Sequence, residues 1–178
     1  DVAVHVCEEN ASDSAVIEPK RVEIVLNAVP DEVAASESLA AGSANGSDVR
    51  SGPPIILYLG RLSAEKGIWI FLEGAALLLA WGCEFRLRIV GAADDEDSLS
   101  TLKKFVREHG LEERTEFLGE LSGEQKAWAY QGADIFCNPT YYPSEALPLT
   151  ALDAMKFQKP SVLAQWRGLI SLSSGEAA

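Results

Sequence analysis

Positive charge, cysteine and long uninterrupted apolar runs are all scarce in this 178-residue chain. Fifteen Lys and Arg stand against 27 Asp and Glu, a formal net charge of -12. So acidic a chain has no general attraction for nucleic acid or anionic lipid, and any phosphate it takes must be met by local cations. The three cysteines, Cys7, Cys83 and Cys137, are odd in number and fit no metal or redox spacing. They read as thiols of a reducing compartment, Cys83 and Cys137 buried in apolar surroundings, so a cytoplasmic location is expected. The longest apolar run, Ile68 to Trp81, is too short for a membrane span and carries Glu73, which favours a buried helix. No Gly-x-Gly-x-x-Gly follows a strand, so the nicotinamide-type fingerprint is absent, and neither a cofactor nor a metal site is expected.

What remains is a globular composition, 47% hydrophobic and 24% charged, long enough for one domain with a proper core. Asp1 to Val6 alternates as a strand, Cys7 to Val16 reads as a short helix, and Val22 to Leu26 as a second strand. His5, alone in an alternating strand, reads as structural. Asp31 to Pro54 is rich in Ser, Ala, Gly and Asp and shows neither period, as in a long mobile loop. From Ile55 the rhythm becomes regular. A continuous apolar run, Ile55 to Leu59, suits a parallel strand covered on both faces. A helix over 68–80 follows, then strands at 85–90, 115–118, 134–137 and 161–164, with helices at 98–109, 122–130 and after Pro148. Ser122-Gly-Glu-Gln125 has the form of a capping box. Strand and helix in alternation predict an α/β fold, a doubly wound parallel sheet.

Two stretches carry candidate chemistry. In Pro143 to Lys156, Glu145 precedes a helix and Asp153 lies eight residues on, roughly 12 Å along a helix, so the two carboxylates can hold two ends of one long ligand. Between them lie the free N–H groups of a helix N-terminus, which favour a phosphate or diphosphate. Pro148 suits the first helical turn, and Leu149, Leu152 and Met155 repeat at the spacing of a core-facing stripe. In Gly60 to Gly67, Arg61 offers a planar fork and Lys66 a point charge. Both stretches leave the carboxyl ends of strands, where an open α/β sheet binds its ligands. The plain structural alternative pairs Lys66 with Glu65 and leaves Asp153 as an exposed helical carboxylate near lysines.

Pro143 to Lys156 resembles the signature of the retaining glycosyltransferases of family 4, the large group 1 family whose GT-B fold has two facing Rossmann-like domains. Its pattern is Glu-Gly-Phe-Gly-Leu-x-x-Leu-Glu-Ala-Met-Ala-x-Gly-x-Pro-Val-Val. Glu145 falls on the first Glu, Leu149 and Leu152 on the two Leu, Ala154 and Met155 on Ala-Met, and Lys159 to Val162 on the closing residues. Asp153 replaces the second Glu, Ala146 and Pro148 replace two Gly, and Gln158 replaces the third. Gly60-Arg-Leu-Ser-Ala-Glu-Lys-Gly67 is similar to the family's phosphate loop, Leu118-Gly-Glu-Leu121 to its base-contacting loop, and Gln165 to Ile170 to a loop after the fifth strand of this alternation.

The resemblance implies a donor-binding domain, residues 22–178, preceded at 1–21 by the remnant of an N-terminal domain or linker. It implies transfer of a sugar from a UDP-, GDP- or ADP-linked donor with retention, as in a hexosyltransferase. Glu145, Arg61 and Lys66 would be catalytic, with Gly60, Leu118, Leu121, Leu149, Thr150 and Asp153 completing the donor site. The acceptor groups would lie in the missing N-terminal domain, so the isolated chain is expected to be inactive. The longer parent has room for peripheral membrane association without a transmembrane segment. A nucleotide-sugar-binding module without activity is the alternative.

Overall fold

The structure, a computed structural model, describes residues 2–5, 21–24 and 52–173. The expected helix at Cys7 to Val16 and loop at Asp31 to Ser51 lie outside them. Strands β1 (Val2–His5) and β2 (Arg21–Ile24) pair in parallel, Val2 opposite Arg21 and His5 opposite Ile24. They form a two-stranded sheet of their own.

The main sheet has five parallel strands: β3 (Ile55–Leu59), β4 (Arg86–Val90), β5 (Thr115–Phe117), β6 (Ile135–Asn138) and β7 (Ser161–Leu163). Their order is β5-β4-β3-β6-β7. The chain therefore builds outward from β3 in one direction and then returns to build in the other. The reversal falls between β3 and β6, the place where such sheets open a crevice beyond their carboxyl ends.

Among the described residues, five α-helices accompany the sheet: α1 (Ile68–Ala80), α2 (Glu96–Glu108), α3 (Gly123–Gln131), α4 (Leu149–Lys156) and α5 (Leu169–Ser173). Alternation along β3 divides the core. Tyr58 faces a cluster with Ile68, Phe71 and Leu72 of α1, Leu102 and Val106 of α2 and Leu87 and Ile89 of β4. Leu57 faces the other cluster, with Ala129 and Tyr130 of α3, Ala151 and Ala154 of α4 and Leu169 of α5. Two buried faces explain why β3 is apolar at every position.

Local signals account for the helix starts. Asp95 caps α2, its carboxylate accepting the Ser98 N–H at 2.7 Å; hydrogen bonding from the Ser98 side chain, and then from its backbone, holds the carboxyl pKa below the ordinary value. Ser122 stands at the cap position of α3 as expected, but its side chain makes no cap bond, so the capping box is not formed. Gly67 opens α1 with φ of 80°, and a Cβ there would sit 2.1 Å from the Pro139 carbonyl oxygen. Only glycine lets the two crevice loops touch at that point.

Two expectations need correction. The core stripe of α4 is Ala151 and Ala154, while Leu149 is 48% and Met155 47% exposed. Pro148 stands at the cap, with ψ of 123°, and the helix begins one residue later. The Leu149–Met155 repeat is centred roughly a third of a turn away around the axis from this alanine face. The second concerns Cys83. It is exposed in the turn after α1, whereas Cys137 on β6 is half-buried, its thiol pushed by burial from 9.0 up to about 11.

Candidate functional site

The crevice lies where the loops after β3 and β6 meet. After β3 the chain passes through Gly60 and Arg61 into a single 3-10 turn, Ala64–Lys66, and then into α1. The Tyr58 hydroxyl ties this loop from below, 2.7 Å from the Arg61 carbonyl oxygen and 3.1 Å from that of Lys66. Burial, then Cys137 and Glu145 nearby, raise the pKa of that hydroxyl, so it stays protonated and donating. After β6 the chain runs through Thr140 and Glu145 to the start of α4. The Tyr141 N–H donates to the Glu65 carbonyl at 2.8 Å, joining the second loop to the first.

Lys66 and Glu145, 79 residues apart, meet here. The ammonium lies 2.6 Å from Oε2 of Glu145 and 4.5 Å from the centroid of the Tyr142 ring. Glu145 is only 8% exposed, and its Oε2 also accepts from the Thr140 hydroxyl at 2.8 Å. A carboxylate so deep needs both partners. The local pairing of Lys66 with Glu65 does not form; Glu65 contributes its backbone carbonyl instead. Arg61 is exposed and lines the same cleft.

The cleft has a volume of about 420 Å³ and is lined by Gly60, Arg61, Lys66, Glu145, Leu149 and Thr150, with Tyr58, Asn138 and Ser144 among the rest. Leu149 and Thr150 are the first two residues of α4, so their N–H groups have no intrahelical acceptor. Asn138 steadies this end, its amide donating to the Thr150 hydroxyl at 3.2 Å. A second cleft of about 260 Å³ shares Leu59, Gly60 and Arg61 and adds Gly91, Glu120 and Leu121.

Six of the nine expected site residues therefore line one cleft, and Leu121 lines its neighbour. Leu118 and Asp153 line neither. Leu118 packs against the α3–α4 side of the core. Asp153, half-buried on α4, pairs with Lys126 of α3. Tyr58, Thr140 and Tyr142 belong to the site but were not expected from the sequence. Tyr58 carried a weak signal, a polar-tipped aromatic in an otherwise aliphatic strand; Thr140 and Tyr142 carried none. Among the described residues no group of three or more His, Cys, Asp or Glu is placed to hold a metal ion, and no helix is long and apolar enough to cross a membrane.

A sequence profile of the family described as "Glycosyl transferases group 1" matches residues 44–172. The chain belongs to that family. Over 130 residues it is 31% identical to mannosylfructose-phosphate synthase of Agrobacterium fabrum, covering 70% of this chain and 28% of that protein. Among solved structures it resembles HepE of Anabaena, crystallised with UDP and glucose, at a TM-score of 0.69 and 21% identity, over 96% of this chain and 46% of that one. It also resembles sucrose-phosphate synthase of Thermosynechococcus elongatus, at a TM-score of 0.72 and 22% identity, over 95% of this chain and 42% of that one. These structural neighbours are GT-B glycosyltransferases, and this group 1 domain shares their Rossmann-like sheet. It spans under a third of the length of the curated relatives it matches.

Proposed function

We propose that the chain is the C-terminal, donor-binding domain of a retaining, family 4 glycosyltransferase of hexosyltransferase type, working in the cytoplasm on a nucleoside diphosphate sugar. The observation that carries this reading is the meeting of Lys66, Glu145 and the open N-terminus of α4 in one cleft at the carboxyl ends of β3 and β6. A diphosphate fits between Lys66 and Arg61 on one side and the amides of Leu149 and Thr150 on the other. Glu145 then stands beside it to meet sugar hydroxyls, and the adjoining cleft at Gly91 and Leu121 has room for the base. The UDP and glucose bound by the Anabaena neighbour make UDP a natural first candidate.

The mechanistic consequence is electrostatic. As the glycosidic bond breaks, negative charge grows on the leaving diphosphate, and fixed cations and amide dipoles stabilise that charge without rearranging. Lys66 and Arg61 supply the cations and α4 the dipoles. Acceptor groups would come from an N-terminal domain, so this domain alone is proposed not to transfer sugar.

One observation favours the second reading, a binding module without turnover. Asp153, the residue at the second acidic position of the signature, is engaged by Lys126 and lies outside the cleft lining. Calorimetric titration with UDP, GDP and ADP tests the shared core of both readings. One nucleotide is expected to bind in the micromolar to millimolar range, and Arg61→Ala with Lys66→Ala is expected to abolish it. Binding that survives both substitutions would place the nucleotide elsewhere.

A further inference from the structure

Residues 139–148, which carry Glu145, form neither helix nor strand. Within the loop, a turn bond runs from the Glu145 N–H to the Tyr142 carbonyl at 2.9 Å. That same carbonyl takes a second donor from a remote part of the chain, the indole N–H of Trp166, at 2.8 Å. Trp166 follows β7, and its own carbonyl accepts the Leu169 N–H at 3.0 Å. Leu169 is fully buried under the sheet. The indole thus reaches the loop from a segment whose backbone is tied to the buried start of α5.

A second contact joins the same two segments. Gly168 packs so tightly on Ala146, the neighbour of Glu145, that a Cβ would stand 2.3 Å from the Ala146 carbonyl oxygen. Only a residue without a side chain fits there. The chain after β7 therefore braces the Glu145 loop on both sides of the carboxylate, at Tyr142 and at Ala146.

We propose that Trp166 is a positioning residue for Glu145, setting through the Tyr142 carbonyl the turn that presents this carboxylate to the sugar half of the ligand. The proposal rests on the donor-site reading of the cleft. Trp166 makes no claim on the diphosphate, because Lys66 is a point charge on a flexible stem and tolerates a small shift of the loop, whereas a carboxylate holding sugar hydroxyls does not. Its effect should therefore appear in the affinity that the sugar adds and not in the affinity for the nucleotide.

Trp166→Phe tests this, since it keeps a ring at a position that is 36% exposed and deletes the N–H. Wild type and variant are titrated with UDP, GDP and ADP and with the glucose conjugate of each. The readout is the ratio of conjugate affinity to free-nucleotide affinity for the nucleotide that binds. One such hydrogen bond is worth a few-fold in an equilibrium, so the ratio is expected to fall about three- to tenfold while free-nucleotide affinity stays within about twofold and the unfolding temperature holds. An unchanged ratio overturns the positioning role alone. Equal losses for nucleotide and conjugate also overturn it, because a merely structural residue would act that way. A wild-type chain that binds a nucleotide but gains nothing from the sugar overturns the assignment of Glu145 to the sugar, and the proposal with it.

Discussion

Glu145→Gln gives the sharpest test of how charge is arranged in the cleft, because the predicted sign runs against intuition: removing a residue of the site should tighten binding of the free nucleotide. The carboxylate is 8% exposed and sits 2.6 Å from the Lys66 ammonium, so it cancels much of the cation that a diphosphate would meet. Two like charges about 6 Å apart repel by roughly 3 kcal/mol at an effective dielectric of about 20. Solvent and salt in an open cleft reduce that to about 1–2 kcal/mol, or roughly five- to thirtyfold in affinity. Glutamine keeps the size and can still accept from Thr140. Calorimetry of the variant should therefore give tighter binding of the preferred nucleoside diphosphate, a gain that shrinks as salt is raised, together with loss of the increment from the sugar. Lys66→Met should move free-nucleotide affinity the other way. If Glu145→Gln weakens the free nucleotide as Lys66→Met does, the carboxylate is not opposing the diphosphate and the electrostatic reasoning fails.

Two further outcomes follow from local structure. Gln158 ends α4 with φ of 54°, its N–H bonding the Met155 carbonyl and the Lys159 N–H that of Ala154, a left-handed cap that favours glycine. Gln158→Gly should stabilise the domain by about 0.5–1 kcal/mol and raise the unfolding midpoint by roughly 1–4 °C; an unchanged or lower midpoint contradicts this. Burial holds the Cys137 thiol up at about 11 against an ordinary 9.0, so its neutral form is favoured on folding, and its contribution to stability is present below pH 9 and lost as pH rises through 9 to 11. Denaturant midpoints should fall across that window less steeply in Cys137→Ala, and alkylation at pH 8 mapped by mass should modify exposed Cys83 before Cys137.

Where neighbouring residues decide the outcome, the sequence was readable. The bounds of α1 follow from Gly67 and Gly82 on either side of an apolar run, and β3 from five apolar residues in succession. The doubly wound parallel sheet followed from the alternation of strands and helices. Legibility fell where a contact spans the chain. Lys66 could be given a partner only nearby, at Glu65, because nothing in spacing shows that Glu145 comes within 2.6 Å. Alanines hid the core face of α4, since a hydrophobic period marks Leu149 and Met155 as readily as the truly buried Ala151 and Ala154. Trp166 and Tyr58 act on backbone carbonyls, and a carbonyl is available at every position, so no motif announces them.

The central claim is that the cleft between Gly60 and Thr150 holds a nucleoside diphosphate. A crystal structure of the chain with the nucleotide that binds it tests this most directly. Phosphate oxygens are expected within hydrogen-bonding distance of Lys66 Nζ and of the Leu149 and Thr150 N–H groups, with the base toward Gly91 and Leu121. A nucleotide seated away from Lys66 and the start of α4 would contradict it.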